Sequence, residues 1–360
     1  MKVYHCQACD QLVYFENTKC MNCGATLGFL ADHLMLNALE PAHDYLWRPL
    51  APEAEGSLYR MCKNYSGEKV CNWMIPEHST ATFCDACRLN QTIPDLSAAG
   101  NKSLWRKLEA SKRRLLYSLL RLGLPLVNKQ QDPDTGLAFA FLAEPNPQFA
   151  ESSQAMTGHA QGLITINIAE ADDAYRERMR QAMAEPYRTP LGHFRHESGH
   201  YYWYLLARRP DWLADFRQMF GDERKDYASA MRQNYEQAPL ADWQSRFVSA
   251  YAAAHPWEDW AETWAHYLHI IDALETAWVF HLRVSPGGNR NDQMASEPDF
   301  DPYRADALDH VITHWLPLTY AVNSLNRSMG KPDLYPFVLA PAVLTKLDFV
   351  HRTIRQAAML

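Results

Sequence analysis

All eight cysteines of this 360-residue chain lie before residue 88, in two sets of four, and no other feature restricts its fold so strongly. The first set reads Cys6-x2-Cys9, then ten residues, then Cys20-x2-Cys23 with Gly24 directly after. A two-residue gap lets both thiolates of a pair turn toward one ion, and two such pairs complete a tetrahedral four-sulfur shell. The spacing predicts a zinc ribbon, with the intervening run QLVYFEN supplying apolar, β-prone residues for a small hairpin. Cys62, Cys71, Cys84 and Cys87 form the second set, with gaps of eight, twelve and two residues. Only its last pair has the tight spacing, and His78 is an alternative donor; iron is an alternative occupant of either set. A closed four-thiolate shell has no open coordination position. Both sites are therefore expected to be structural, adding folding free energy to segments too small to fold on apolar burial alone.

The opening residues MKVYHCQACDQLVYF hold no apolar stretch of signal-peptide length, and no later segment reaches the ~18 apolar residues of a membrane helix. A cytoplasmic protein without membrane contact is expected, where thiols stay reduced and available to metals. The net charge of −7 argues against nucleic-acid binding by bulk electrostatics, because phosphate contact needs a surplus of Lys and Arg. The basic run RKLEASKRRLLYSLLR has leucines at helical spacing, so its charged side is expected to be a solvated helix face.

Pattern divides the chain into a cysteine region over 1–93, a helical connector over 94–130 and a larger domain over 131–360. PDLSAAG reads as a linker and 101–122 as an amphipathic helix. GLAFAFLA and GLITINIAEAD read as strands, the second running into the helical DDAYRERMRQAMAE. From Pro190 the chain reads as almost wholly helical, with breaks at Pro210, Pro239, Pro256 and 285–292, and with final helices near 303–325 and 338–357. The expected class is α+β: zinc-ribbon modules, then a mostly helical domain with a small sheet.

Within LGHFRHESGHYYWYLLARRP, His196 and His200 stand four apart, so on a helix both imidazoles face one point in space. Glu197 lies about 100° further round, beside such an ion without ligating it, which suits a general base. Ser198 and Gly199 leave little bulk there. A catalytic zinc asks for a third protein donor and keeps one position open. Its source is expected in HPWEDWAETWAHYLHIIDAL, where Pro256 opens a helix and Glu258 and Glu262 share a face. Glu258 is the leading candidate, with Glu262, Asp259 and His266 as alternatives; the other glutamate would orient a ligand histidine. His193, His255, His266 and His269 are expected mainly as packing or outer residues, and Trp257, Trp260 and Trp264 mainly as core.

H-E-x-x-H followed by a helix bearing E-x-x-x-E resembles the gluzincin metallopeptidases, and EDWAE is similar to the E-x-x-A-E segment of their lethal-factor-like subgroup. That resemblance implies Glu258 as third ligand, Glu262 in the outer shell, and Tyr251, seven residues before Glu258, as oxyanion donor. TGHAQGLITIN, YRTPLGHFRHESGHYYW and PWEDWAETWAHYLH, behind an N-terminal zinc ribbon, resemble a bacterial family of zinc-binding metallopeptidases over nearly the whole chain. The resemblance implies a zinc-dependent peptidase with one catalytic and one or two structural zinc ions, Glu197 as general base toward a zinc-activated water, and a peptide or protein as substrate. By analogy of fold, GLITINI is the expected sheet edge for an extended substrate. A rival reading is a zinc-ribbon adaptor that binds a protein or nucleic acid and carries a catalytically silent peptidase-like domain.

Overall fold

The computed structural model describes residues 2–143, 158–183, 185–237, 241–287 and 294–357. The chain divides into two compact units: Met1–Arg121 with Pro125–Arg176, and Leu122–Leu124 with Glu177–Leu360. The break expected at Pro239, and residues 288–292 of the one expected over 285–292, lie outside the described residues. The architecture is α+β, with a cysteine-rich N-terminal region and then a mostly helical domain.

In the first unit, β1 (Tyr4–His5) and β2 (Leu12–Val13) pair antiparallel and flank the first cysteine pair. The hairpin expected from QLVYFEN thus takes its other strand from upstream. β3 (Thr26–Leu30), β4 (Met35–Pro41), β5 (Trp47–Pro49), β6 (Tyr59–Met61) and β7 (Met74–Pro76) form an antiparallel five-stranded sheet in chain order. The sequence pattern has no counterpart for this sheet. Its longest strands bury four successive residues each, Leu27–Leu30 and Leu36–Leu39, so the alternation that marks a half-exposed strand is missing. A single helical turn, α1 (Lys63–Ser66), follows Cys62.

β8 (Asn90–Thr92), α2 (Asn101–Arg121), β9 (Ala138–Leu142), β10 (Gly158–Ala160) and β11 (Leu163–Asn167) complete this unit. The second sheet runs β10-β11-β9-β8. β11 pairs antiparallel with β10 and parallel with β9, so the GLITINI strand is interior. The expectation that it offers a free edge is corrected, because its backbone groups on both sides are already spent on neighbours. α2 is less solvated than its basic run suggests. It buries Trp105, Leu108, Leu115, Leu116 and Leu119, and with them Glu109, Lys112 and Arg113. Lys112 Nζ donates to Glu109 Oε1 at 2.8 Å and to Asn90 Oδ1, and it lies 5.5 Å from the ring centroids of Phe139 and Phe141. Part of the basic side expected to face solvent is inside, where each buried charge has a partner.

α3 (Asp173–Ala182) carries the division between the units. The second unit then holds α4 (Pro190–Leu206), α5 (Pro210–Phe220), α6 (Tyr227–Glu236), α7 (Pro256–Val279), α8 (Leu308–Ser328) and α9 (Pro341–Ala357). The expected start near 303 is a separate 3-10 turn, Pro302–Arg304. α7 is the buried axle, contacting α4, α5, α8 and α9. Local chemistry fixes where the two key helices start: Thr189 Oγ1 caps α4 by accepting from Gly192 N at 3.0 Å, and His255 Nδ1 caps α7 by accepting from Trp257 N at 3.1 Å. Each cap is followed by a proline at the first helical position, Pro190 or Pro256.

α4 and α7 meet closely at Gly199, where a Cβ would stand 2.9 Å from Ala261 Cα. Trp264 Nε1 donates to Ser198 Oγ at 3.0 Å, and Trp260 Nε1 donates to Gly199 O at 2.8 Å. The small residues inside HESGH thus also serve the helix crossing. No helix among the described residues is long and apolar enough to cross a membrane.

Candidate functional site

The eight cysteines gather as the spacing predicts, into Cys6, Cys9, Cys20 and Cys23 and into Cys62, Cys71, Cys84 and Cys87. Sγ–Sγ separations are 3.6 Å for Cys6–Cys23, 3.6 Å for Cys9–Cys20 and 3.7 Å for Cys71–Cys84. A disulfide would need about 2.05 Å. A tetrahedral shell with zinc–sulfur bonds of about 2.3 Å has edges of about 3.8 Å, so both clusters fit that ion. The turn after each pair of the first cluster is left-handed, at Asp10 (φ 60°) and Gly24 (φ 78°). Backbone N–H groups support the thiolates. The N–H of Gln11, more than any other group, lowers the Cys9 thiol to about 6, whereas burial pushes Cys6 up to about 12.

The second cluster is wholly buried, and His78 is exposed and outside it. It receives N–H groups from Trp73 to Cys71 Sγ at 3.3 Å and from Cys84 to Cys62 Sγ at 3.4 Å. Sequence reasoning missed its counter-charge. Arg113 of α2, 3% exposed, donates to Val70 O at 2.7 Å; burial disfavours its charge, but the field of Cys71, then Glu109, Cys87 and Cys84, holds it protonated.

In the second unit, α4 and α7 bring His196, His200 and Glu258 together. Glu258 Oε2 lies 3.0 Å from His196 Nε2 and 3.4 Å from His200 Nε2, and the two nitrogens are 3.1 Å apart. Zinc bonds of about 2.0–2.1 Å to nitrogen and oxygen imply donor edges of about 3.3 Å, so this triangle has the size of one face of a tetrahedral zinc shell. The other nitrogen of His196, Nδ1, donates to Glu262 Oε1 at 2.7 Å, and Glu262 Oε2 accepts from Ser249 Oγ at 2.6 Å. Burial opposes a charged His196, yet its bonds to Glu258 and Glu262 raise its pKa well above the ordinary value. Burial likewise opposes the Glu258 carboxylate, but the charge of His200 and the hydrogen bonds from both imidazoles hold its pKa far below normal.

Glu197 is buried beside this triangle, and its Oε2 has no hydrogen-bond partner. Burial raises its pKa against the pull of His196 and His200, which makes it a readier proton acceptor than a surface glutamate. Tyr251 begins a 3-10 turn, with its ring centroid 5.9 Å from that of His196. Its hydroxyl is held protonated by burial and then by the negative field of Glu258. Asp259 and His266 are engaged elsewhere, Asp259 with Lys346 Nζ at 2.6 Å and His266 Nδ1 with Tyr335 Oη at 2.7 Å.

Two neighbours had no sequence signal. Tyr227 of α6 donates its hydroxyl to Glu258 Oε1 at 2.7 Å, opposite the oxygen that faces the histidines. Trp257, expected as core, lays its ring 4.1 Å from that of His200. Tyr227 stands 31 residues before Glu258, so no helical spacing could have announced it.

Fold and sites together define a zinc-binding α+β protein with a zinc-ribbon region ahead of a helical domain. Residues 101–353 match the family described as "Putative zinc-binding metallo-peptidase", and residues 3–98 match a zinc-ribbon domain. Uncharacterized proteins of Mycobacterium bovis and Mycobacterium tuberculosis are 40% identical over 360 residues, covering 99% of this chain and 96% of each relative. The chain belongs to this metallo-peptidase family. No solved structure matches it.

Proposed function

We propose that the chain is a zinc-dependent peptidase whose reacting centre stands on α4 and α7. His196, His200 and Glu258 would hold the ion, and Glu262 would orient His196 through Nδ1 so that the Nε2 lone pair faces the ion. The observation that carries this reading is the 3.0–3.4 Å triangle of Nε2, Nε2 and Oε2 donors, with Glu197 buried beside it. The two four-cysteine clusters are assigned as structural zinc sites that leave no open position.

Zinc bound at the triangle would supply Lewis acidity, acidifying water toward a pKa of about 7 and polarising a carbonyl oxygen. Glu197 takes the proton of the attacking water and passes it to the departing amine, a transfer its raised pKa favours. Tyr251, kept neutral by its surroundings, donates its hydroxyl hydrogen to the oxygen on which negative charge grows. Trp257 restricts the His200 ring by packing against it.

The test is cleavage of a mixed peptide pool by the full zinc-loaded chain, read by mass spectrometry. Glu197→Gln should keep its zinc and fold yet lose about 10²–10⁴ of the rate, the usual contribution of a positioned base. Cleavage by Glu197→Gln at the wild-type rate, or none by the wild type across broad pools, would overturn the reading.

A further inference from the structure

A second imidazole–carboxylate cluster stands on the second unit, on α8 and the segment before it. Asp299, His310 and His314 bring one donor atom each within 4.8 Å of one another. His310 and His314 are four apart near the start of α8, so they share a face, and their ring centroids are 5.1 Å apart. Asp299 comes from the segment before the Pro302–Arg304 turn. Asp299 and His310 are exposed, and His314 is half-buried.

Two neighbours prepare the imidazoles. Ser296, buried and tied to Val284 by backbone bonds of 2.8 and 2.9 Å, sets its Oγ 2.9 Å from His314 Nδ1 and 3.3 Å from His314 O. The carbonyl can only accept, so the Ser296 hydroxyl hydrogen points to it and the Oγ lone pair takes the hydrogen on Nδ1. That leaves the lone pair of His314 on Nε2, the form a metal needs, with an outer hydrogen bond fixing the ring. Phe300 stacks on His310 with centroids 4.1 Å apart and planes 24° apart, which restricts that ring as well.

We infer that Asp299, His310 and His314 form a further binding site for a divalent transition-metal ion, with the remaining positions taken by water. Two imidazoles and one carboxylate suit zinc, nickel or cobalt better than calcium or magnesium, which prefer all-oxygen shells. Tetrahedral zinc asks for donor edges of about 3.3 Å; the three donor atoms stand within 4.8 Å of one another, and two of the three side chains, Asp299 and His310, are exposed. An ion there would fasten the 296–300 segment to the first turns of α8.

The probe is Zn2+ alone, titrated by calorimetry into the full chain already loaded at its tighter sites, with Ni2+ in parallel. Wild type should take up one further equivalent. His310→Asn and His314→Asn should each lose it while the tightly held zinc stays, and Zn2+ should slow amide exchange over 296–300 only in the wild type. Ser296→Ala should weaken binding by about tenfold, the usual cost of an outer hydrogen bond to a ligand histidine. Absence of the extra equivalent in wild type, or its persistence in folded His310→Asn/His314→Asn, would overturn the site; unchanged affinity in Ser296→Ala would overturn the role of the serine.

Discussion

The four-cysteine clusters and the histidine–glutamate triangle are built in opposite ways. The first cluster sits among two-residue strands, tight turns and left-handed residues. The triangle sits on helices of 17 and 24 residues, locked by Gly199 against Ala261 and by the Trp260 and Trp264 indoles. On the proposed reading a metal would make the fold in one place, and in the other the fold is complete and offers a metal three donors. The same element would then act as a fold constituent or be held by a finished scaffold, according to what surrounds it.

The sharpest way to break that comparison is to remove one ligand from each kind of site. Cys84→Ala should unfold the first unit, because structural zinc contributes on the order of 10 kcal/mol of apparent folding free energy. Glu258→Ala should release one equivalent of zinc while α4 and α7 keep their amide protection. Hydrogen exchange with zinc counting checks both. Unfolding of α4 and α7 in Glu258→Ala would show that the triangle, too, makes its fold.

A smaller effect tests whether the buried cluster depends on a charge from outside its own motif. Four thiolates around a divalent ion carry a net charge of −2, and Arg113 is the buried cation whose field they share. Arg113→Met keeps the stem and removes the charge, so it should cost about 3–5 kcal/mol, as breaking a buried pair does. Zinc release to a chelator should speed up from the second cluster and not from the first. Equal rates in mutant and wild type would show that the backbone N–H groups suffice.

Acid should separate the scaffold from its metal. Burial lowers the pKa of His266 from 6.5 to about 4, so the folded second unit holds it neutral where the unfolded chain protonates it. Its contribution is full above pH 6.5 and falls as pH drops toward about 4, where the folded form also takes the proton. At about 1.36 kcal/mol per pH unit the window is worth about 3 kcal/mol. His266→Gln should therefore lose less stability than wild type between pH 7 and 4, by denaturant melts of the zinc-free chain. A pH dependence identical to wild type would remove His266 as the cause.

What the sequence made legible was whatever repeats at short range. Cysteine gaps, the four-residue step from His196 to His200, the step from Glu258 to Glu262 and the Thr-Pro and His-Pro helix starts each report local geometry directly. That His196, His200 and Glu258 meet needed only two helices and a reason for them to cross. The five-stranded sheet was hidden because its strands are short and buried on both faces. Arg113 and Lys112 were misread because a cation buried with a partner looks, in sequence, like one facing water. Tyr227 was invisible for a different reason: its link to Glu258 spans two separate helices.

Tyr227 therefore supplies the finest test of how the triangle is held. Backbone groups support the thiolates, whereas the Glu258 carboxylate is supported by a side-chain hydroxyl on its far oxygen at 2.7 Å. That bond occupies Oε1 while Oε2 faces the imidazoles, so on the proposed reading Glu258 would be a one-oxygen ligand. Tyr227→Phe frees Oε1 and lets the carboxylate rotate, so zinc should bind the triangle about 10–100-fold more weakly, the range for outer-shell partners. Competition with a calibrated chelator at neutral pH reads this directly, and the cysteine sites in the same molecule are the internal control. If the triangle keeps wild-type affinity, the helix crossing alone orients Glu258; if both kinds of site weaken together, the change reports general loosening and the proposed role of Tyr227 fails.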